Sequence, residues 1–251
     1  MRQRLFLLSN STVFGRQYLE HALAGLKDFL GDERSVLFVP YAVAWANYDG
    51  YTAHIQAALA PLSVMVRGMH TVSDSRHAVT EARVLYVGGG NVFRLLKTLQ
   101  QHQLLNLVRE RVEAGELRYI GASAGTNMAC PSVRTTNDMP IVQPSSFEAF
   151  GLLPFQINPH YLDPDPTSTH QGETRATRIA EFLEENDVAV LGMREGSWLQ
   201  RNGPALRLEG VAGARLFMRH TEPREIAPGI DLSWLLEAPA QFDQRQFDRQ
   251  M

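Results

Sequence analysis

The residues of this chain best suited to chemistry form the run Gly121-Ala122-Ser123-Ala124-Gly125. It fits G-x-S-x-G, in which a serine sits on a sharp turn between a strand and a helix and presents its hydroxyl as a nucleophile. The flanks suit that geometry. Residues 117–120 read as a buried strand and residues 124–129 as a helix start. Small neighbours let the backbone turn tightly and let a substrate approach. The first helical N–H, that of Ala124, is then expected to face a developing oxyanion. The bland alternative is a glycine-rich turn that only packs, or that binds phosphate.

A second cluster, Gly88-Gly89-Gly90-Asn91, follows the apolar run 83–87 directly. In open parallel sheets, ligands bind beyond the carboxyl ends of the strands. Both glycine clusters are expected there, so Gly89 or Gly90 is a candidate for a second oxyanion N–H beside that of Ala124. The cluster lacks a following Lys-Ser/Thr and the G-x-G-x-x-G spacing, which argues against a nucleotide loop.

A serine nucleophile needs a base and, behind it, an acid that orients the imidazole. His160, in Ile157-Asn158-Pro159-His160, follows an apolar run and precedes a Pro-rich loop, a rim position from which a side chain reaches a crevice. His170 is the alternative base, in a more polar loop. His21, His54, His77 and His102 fall on or beside expected helices. Two carboxylates qualify as the acid: Asp138, in Thr135-Thr136-Asn137-Asp138-Met139-Pro140, and Glu195, in Met193-Arg194-Glu195-Gly196. For each, the commoner fate of such a residue is to cap a turn. No H-E-x-x-H or comparable ligand spacing occurs, so no metal and no cofactor is expected.

The elements that must position these groups alternate along the first two thirds of the chain. Apolar runs at 4–8, 36–40, 62–66, 83–87 and 118–121 suit strands buried on both faces of a parallel sheet. Between them, 17–30, 51–60 and 104–114 carry apolar residues at helical spacing. Strand and helix in alternation predict an α/β domain with right-handed crossovers. Further on, 174–185 reads as a helix and 188–192 as a buried strand. The runs 197–200, 205–208 and 215–218 read as antiparallel strands at one edge of the domain. The tail from about residue 241 is expected to be solvated or frayed. No composition shift marks a boundary, so residues 1–251 are expected to form one domain.

Composition narrows the setting. The chain has 251 residues, 44% of them hydrophobic and 20% charged, with a net charge of -3. That is ordinary for a soluble globular protein and gives no basic stripe for nucleic acid. No apolar stretch approaches a membrane span, and the N-terminus lacks a signal-peptide pattern. The single cysteine, Cys130, cannot form an internal disulfide. A soluble cytoplasmic protein is therefore expected. Its oligomeric state is not legible.

Several strings taken together resemble the peptidase E family of α-aspartyl dipeptidases. They are Leu8-Ser9-Asn10-Ser11-Thr12, Val87 to Asn91, Gly121 to Asn127, Thr135 to Val142, Ile157 to His160 and Gly172-Glu173-Thr174-Arg175. The resemblance implies a fold like that of class I glutamine amidotransferases, a flavodoxin-like three-layer sandwich with a mostly parallel central sheet. It implies serine-dependent hydrolysis of dipeptides with an N-terminal aspartate. It places Ser123 on the nucleophile and His160 on the base. Asp138 and Glu195 both fall on positions considered for the acid. An aspartyl side chain calls for a cation, preferably a bidentate one, and Arg175 is the candidate. Glu173 is the candidate for the substrate's free amine. The loop 161–171 is more Pro- and Asp-rich than the family pattern. Two rival readings are a cyanophycinase-like hydrolase of β-aspartyl-arginine and a non-enzymatic phosphate or small-molecule binder.

Overall fold

Apolar residues alternate sides along each central strand, and this alternation builds two cores on one sheet. In a computed structural model that describes residues 3–167, 169 and 171–243, the chain runs β1 (Arg4–Leu8), α1 (Leu23–Leu30), β2 (Ser35–Val39), α2 (Tyr48–Leu59), β3 (Met65–Gly68), α3 (Ser75–Glu81), β4 (Val84–Val87), α4 (Val92–Gln101), α5 (Leu105–Glu113), β5 (Arg118–Ala122) and α6 (Ala124–Met128). It continues with β6 (Gln156–Asn158), α7 (Arg175–Glu185), β7 (Asp187–Val188), β8 (Val190–Met193), β9 (Ser197–Asn202), β10 (Ala205–Gly210), β11 (Ala214–Phe217), β12 (Arg224–Ile226) and β13 (Ala240–Gln241).

The main sheet has seven strands in the order β10-β9-β1-β5-β4-β2-β3. The run from β1 to β3 is parallel, whereas β9 and β10 add antiparallel at the β1 edge. Leu5, Leu7, Leu37, Val39, Leu85 and Val87 face one core with α3, α4, α5 and α6. Phe6, Leu8, Val36, Phe38, Val84 and Tyr86 face the other, with α1 and α2. Helices therefore cover both faces, which is why the central strands read as continuous apolar runs. Each fully buried Leu or Phe contributes about 1.5–3 kcal/mol. Among the described residues, no helix is long and apolar enough to cross a membrane.

The C-terminal third departs from the expected single edge. Runs 197–200 and 205–208 do extend the main sheet, as β9 and β10. The run near 215, β11, instead joins a second sheet of four strands in the order β12-β11-β8-β6. There β6 and β8 are parallel neighbours. Alternation alone does not reveal which sheet a strand joins, because both sheets bury apolar residues against the same core. The expected strand 188–192 is also divided, since β7 pairs with β13 while β8 pairs with β6 and β11.

The expected helix 17–30 begins late. Leu19 takes φ 60, and a 3-10 turn over Glu20–Ala22 precedes α1. The tail is anchored further than expected: β13 pairs with β7, Arg134 holds Asp243 at 2.7 Å, and Phe242 packs edge-on to Phe182. The end of the tail, from residue 244, lies outside the described residues.

Candidate active site

Register places the carboxyl ends of the parallel strands side by side. Leu8 pairs with Ala122, Val87 with Gly121 and Val39 with Val87. The next residues of each strand, Ser9, Ser123 and Gly88, therefore emerge at the same end of the sheet. In the second sheet Asn158 pairs with Gly192, so the segments carrying His160 and Glu195 leave β6 and β8 together.

Ser123 turns the chain from β5 into α6 with φ 53 and ψ -108. A non-glycine residue held there costs on the order of 1–3 kcal/mol, so surrounding contacts must enforce it. The Ser123 N–H donates to the Leu8 carbonyl at 3.1 Å, and the Thr126 and Asn127 N–H groups donate to the Ser123 carbonyl at 2.8 and 3.0 Å. The flanking glycines are required by packing. A Cβ on Gly121 would lie 2.5 Å from the Gly125 carbonyl oxygen, and one on Gly125 would lie 2.0 Å from that of Val87. Gly125→Ala is therefore expected to destabilise the fold by about 3 kcal/mol or more, because rigid backbone on β4 cannot retreat. Urea unfolding of the variant beside the parent chain measures this.

The three chemical groups meet in line. His160 Nε2 lies 2.9 Å from Ser123 Oγ, and His160 Nδ1 lies 2.7 Å from Glu195 Oε1. The imidazole and the carboxylate are 39% and 55% exposed, so the line runs along a solvent-facing rim. His160 itself takes φ 54. Its N–H donates to Ser9 Oγ at 2.9 Å, and that hydroxyl donates to the Met193 carbonyl at 2.8 Å. Asn10 Oδ1 accepts the Gly196 N–H at 2.8 Å. One dipeptide at the end of β1 thus ties both the His160 and Glu195 segments to the main sheet. Arg194 adds a clamp: it donates to Asp163 at 2.6 and 2.9 Å and lies 5.7 Å over the Tyr161 ring.

Of the two candidate acids, only Glu195 touches the imidazole. Asp138 Oδ2 instead accepts the Val92 N–H at 2.6 Å, so it caps the N-terminus of α4. Burial pushes its carboxyl above the usual range, opposed by that hydrogen bond and by the positive fields of His160 and Arg175. The surrounding string has a positioning task. Asn158 donates to the Thr135 carbonyl and Asn137 Oδ1, while Asn137 donates to the Pro159 carbonyl. These bonds lock the 135–138 loop against β6 and the residue preceding His160.

The two glycine N–H groups expected as alternatives for the oxyanion also separate. Gly89 N–H donates to Tyr51 Oη at 2.9 Å, so it is committed elsewhere. Among the described residues, the N–H groups of Gly90 and Ala124 have no acceptor. Arg175 opens α7, half-buried and without an ion-pair partner among the described residues. Burial, with Arg178 nearby, pulls its pKa down, and Asp138 opposes this. Arg175 and Glu173 line one cavity of about 330 Å³ together with Leu162 and Asp163. Glu173 is exposed and lies 3.5 Å from Arg178. His170 falls outside the described residues. A cavity of about 610 Å³ against β2, β3 and α3 contains none of these groups.

Such a line of hydroxyl, imidazole and carboxylate is able to deprotonate the serine for attack on a carbonyl and to return the proton to a leaving group. Residues 5–208 match the model of Peptidase family S51. The chain belongs to peptidase family S51. It is 57% identical over 239 residues to peptidase E of Streptomyces coelicolor, covering 95% of this chain and 97% of that one. It is 46% identical over 237 residues to the "Probable alpha-aspartyl dipeptidase" of Drosophila melanogaster, covering 94% and 98%. The solved structure of a peptidase from an acI-B1 Actinobacterium shares the fold with a TM-score of 0.65 at 16% identity, over 92% of this chain and 97% of that one. Ser9, Asn10 and Tyr51 were not legible as parts of this S51 site from their own types. For Ser9 and Asn10 the usable signals are small polar residues directly after a buried strand and their place in the family-like string Leu8 to Thr12.

Proposed function

We propose that this chain is a serine-type dipeptidase that hydrolyses dipeptides with an N-terminal, α-linked aspartate. The unbroken line Ser123 Oγ–His160–Glu195 carries the reading. The names of the S51 relatives supply the substrate class. Ser123 Oγ attacks the peptide carbonyl carbon while its proton passes to His160 Nε2. Glu195 accepts the Nδ1–H and stabilises the imidazolium. The carbonyl electron pair moves onto oxygen, where Ala124 N–H and Gly90 N–H receive it. As the tetrahedral species collapses, the C–N bond breaks and His160 protonates the departing amino acid. Water, deprotonated by His160, then cleaves the aspartyl ester and frees Ser123.

Arg175 is the cation for the aspartyl side chain. Its guanidinium has no ion-pair partner among the described residues and opens onto the cavity it shares with Glu173. Glu173 is the carboxylate for the substrate ammonium. The fold belongs with flavodoxin-like three-layer sandwiches, as in class I glutamine amidotransferases, and residues 1–251 act as one hydrolytic domain. No feature of the site favours β-aspartyl-arginine hydrolysis or phosphate binding.

A panel of Asp-Leu, Glu-Leu, Ala-Leu and N-acetyl-Asp-Leu tests this, with Asp-Leu alone expected to turn over well. Equal rates on Ala-Leu would overturn it. Arg175→Met is expected to lower kcat/KM for Asp-Leu on the order of 10²-fold, the worth of a charge-assisted pair. It should leave the trace rate on Ala-Leu where it was.

A further inference from the structure

The turn after β4 carries four consecutive backbone N–H groups, and their fates differ. Gly88 N–H donates to the Val39 carbonyl at 3.1 Å, and Asn91 N–H donates to the Ala42 carbonyl at 2.8 Å. Gly89 N–H donates to Tyr51 Oη at 2.9 Å. Gly90 N–H alone has no acceptor among the described residues. Three of the four are therefore anchored and a single donor is left over. Two of them are backbone to backbone. Only the Tyr51 anchor depends on a side chain.

That side chain is built in closely. The Tyr51 ring meets Phe38 edge-on, with centroids 4.9 Å apart. A Cβ on Gly88 would lie 2.7 Å from Tyr51 Oη and 2.9 Å from the Phe38 ring, so the turn and the tyrosine fit only because Gly88 has no side chain. The next hydroxyl, that of Tyr18, is 3.4 Å away. Burial holds the Tyr51 phenol far above its ordinary pKa, so it remains a neutral hydroxyl. The other side of the turn touches the nucleophile. A Cβ on Gly89 would lie 3.2 Å from Ser123 Cβ and 3.8 Å from Ser123 Oγ.

We propose that Tyr51 is a positioning residue for the oxyanion: by accepting the Gly89 N–H from behind, it fixes the peptide planes of the glycine turn so that Gly90 N–H faces the carbonyl attacked by Ser123. The inference rests on the reading of Ser123 as nucleophile. Glycine peptides rotate at little cost, so an oxyanion donor on a triple-glycine turn needs an external anchor. The anchor acts when charge appears on oxygen, because a preorganised donor favours the tetrahedral state over the planar substrate.

The test uses the full chain with Tyr51→Phe, which keeps the ring against Phe38 and deletes one oxygen, beside Ser123→Ala. Two inhibitors separate the states. The aldehyde analogue of aspartate adds Ser123 Oγ to its carbonyl carbon, with the π pair passing to oxygen and the serine proton to His160. Free aspartate only binds. For Tyr51→Phe, kcat on Asp-Leu and affinity for the aldehyde are each expected to fall about tenfold, less than the 10²–10³ of deleting a donor outright. KM and affinity for aspartate should stay within about twofold. Amide exchange at Gly89 should accelerate. An unchanged kcat overturns the role of Tyr51, and so does a loss of aspartate affinity as large as the loss of kcat. A Ser123→Ala chain that still cleaves Asp-Leu overturns the nucleophile reading itself, and the role of Tyr51 with it.

Discussion

Replacing Ser123 by alanine is expected to lower kcat/KM for Asp-Leu by about 10³- to 10⁶-fold, with folding intact. The size follows from what the hydroxyl does. Without Oγ no acyl-enzyme forms, and any residual rate comes from a water molecule using the oxyanion donors and His160. The backbone should not respond. Alanine keeps a Cβ, and the positive φ at 123 is enforced by main-chain bonds to Leu8, Thr126 and Asn127 rather than by the hydroxyl. Single-turnover kinetics, with thermal unfolding as the control, measure both halves of the expectation. A variant within tenfold of the parent rate would remove Ser123 from the mechanism.

The second large effect separates the two acids. Glu195→Gln is expected to cost about 10²- to 10⁴-fold in kcat with little change in KM. Glutamine can present its amide N–H to Nδ1, which favours the tautomer carrying a proton on Nε2. That ring donates to Ser123 and cannot deprotonate it. Because Glu195 is 55% exposed, water can partly replace it, so the loss should sit toward the lower end. Asp138→Asn should cost less than about tenfold, since an amide oxygen can still accept the Val92 N–H. Its stability signature runs the other way. Burial raises the Asp138 pKa, so the folded chain holds that proton more tightly than the unfolded chain. The group's contribution to stability is therefore fully present below the ordinary aspartate pKa and is lost as pH rises through its raised folded value. The Asp138→Asn change would abolish that fall, visible as a flatter dependence of the unfolding midpoint on pH. The reverse ranking of the two variants in kcat would move the acid to Asp138.

Much of the site was readable because its strongest constraint is local. A serine between two glycines, with a strand before and a helix after, has few other uses, and the glycines are demanded by space, since a Cβ on Gly125 would lie 2.0 Å from the Val87 carbonyl oxygen. His160 was legible in part, from a rim position after an apolar run. The central parallel strands declared themselves through burial on both faces, and most helices through apolar residues at helical spacing. What stayed hidden depends on pairing across long separations. Whether 215–218 lies beside β9 or in the second sheet is invisible to periodicity, since both placements bury the same apolar faces. The choice between Asp138 and Glu195 has the same origin. Both are loop carboxylates, and only the parallel pairing of β6 with β8 carries Glu195 to the imidazole while the 135–138 loop swings Asp138 onto α4.

The sequence by itself determined the serine on its strand-to-helix turn, its glycine frame and the alternating strand–helix plan, because each is set by steric and apolar demands within a few residues. Only the tertiary structure decided which acid reaches His160 and which glycine N–H is left without an acceptor among the described residues. Those outcomes hang on Ser9, Asn10 and Tyr51, far along the chain from the groups they hold, and local pattern carries no information about hydrogen bonds that close across 38, 151 or 186 residues.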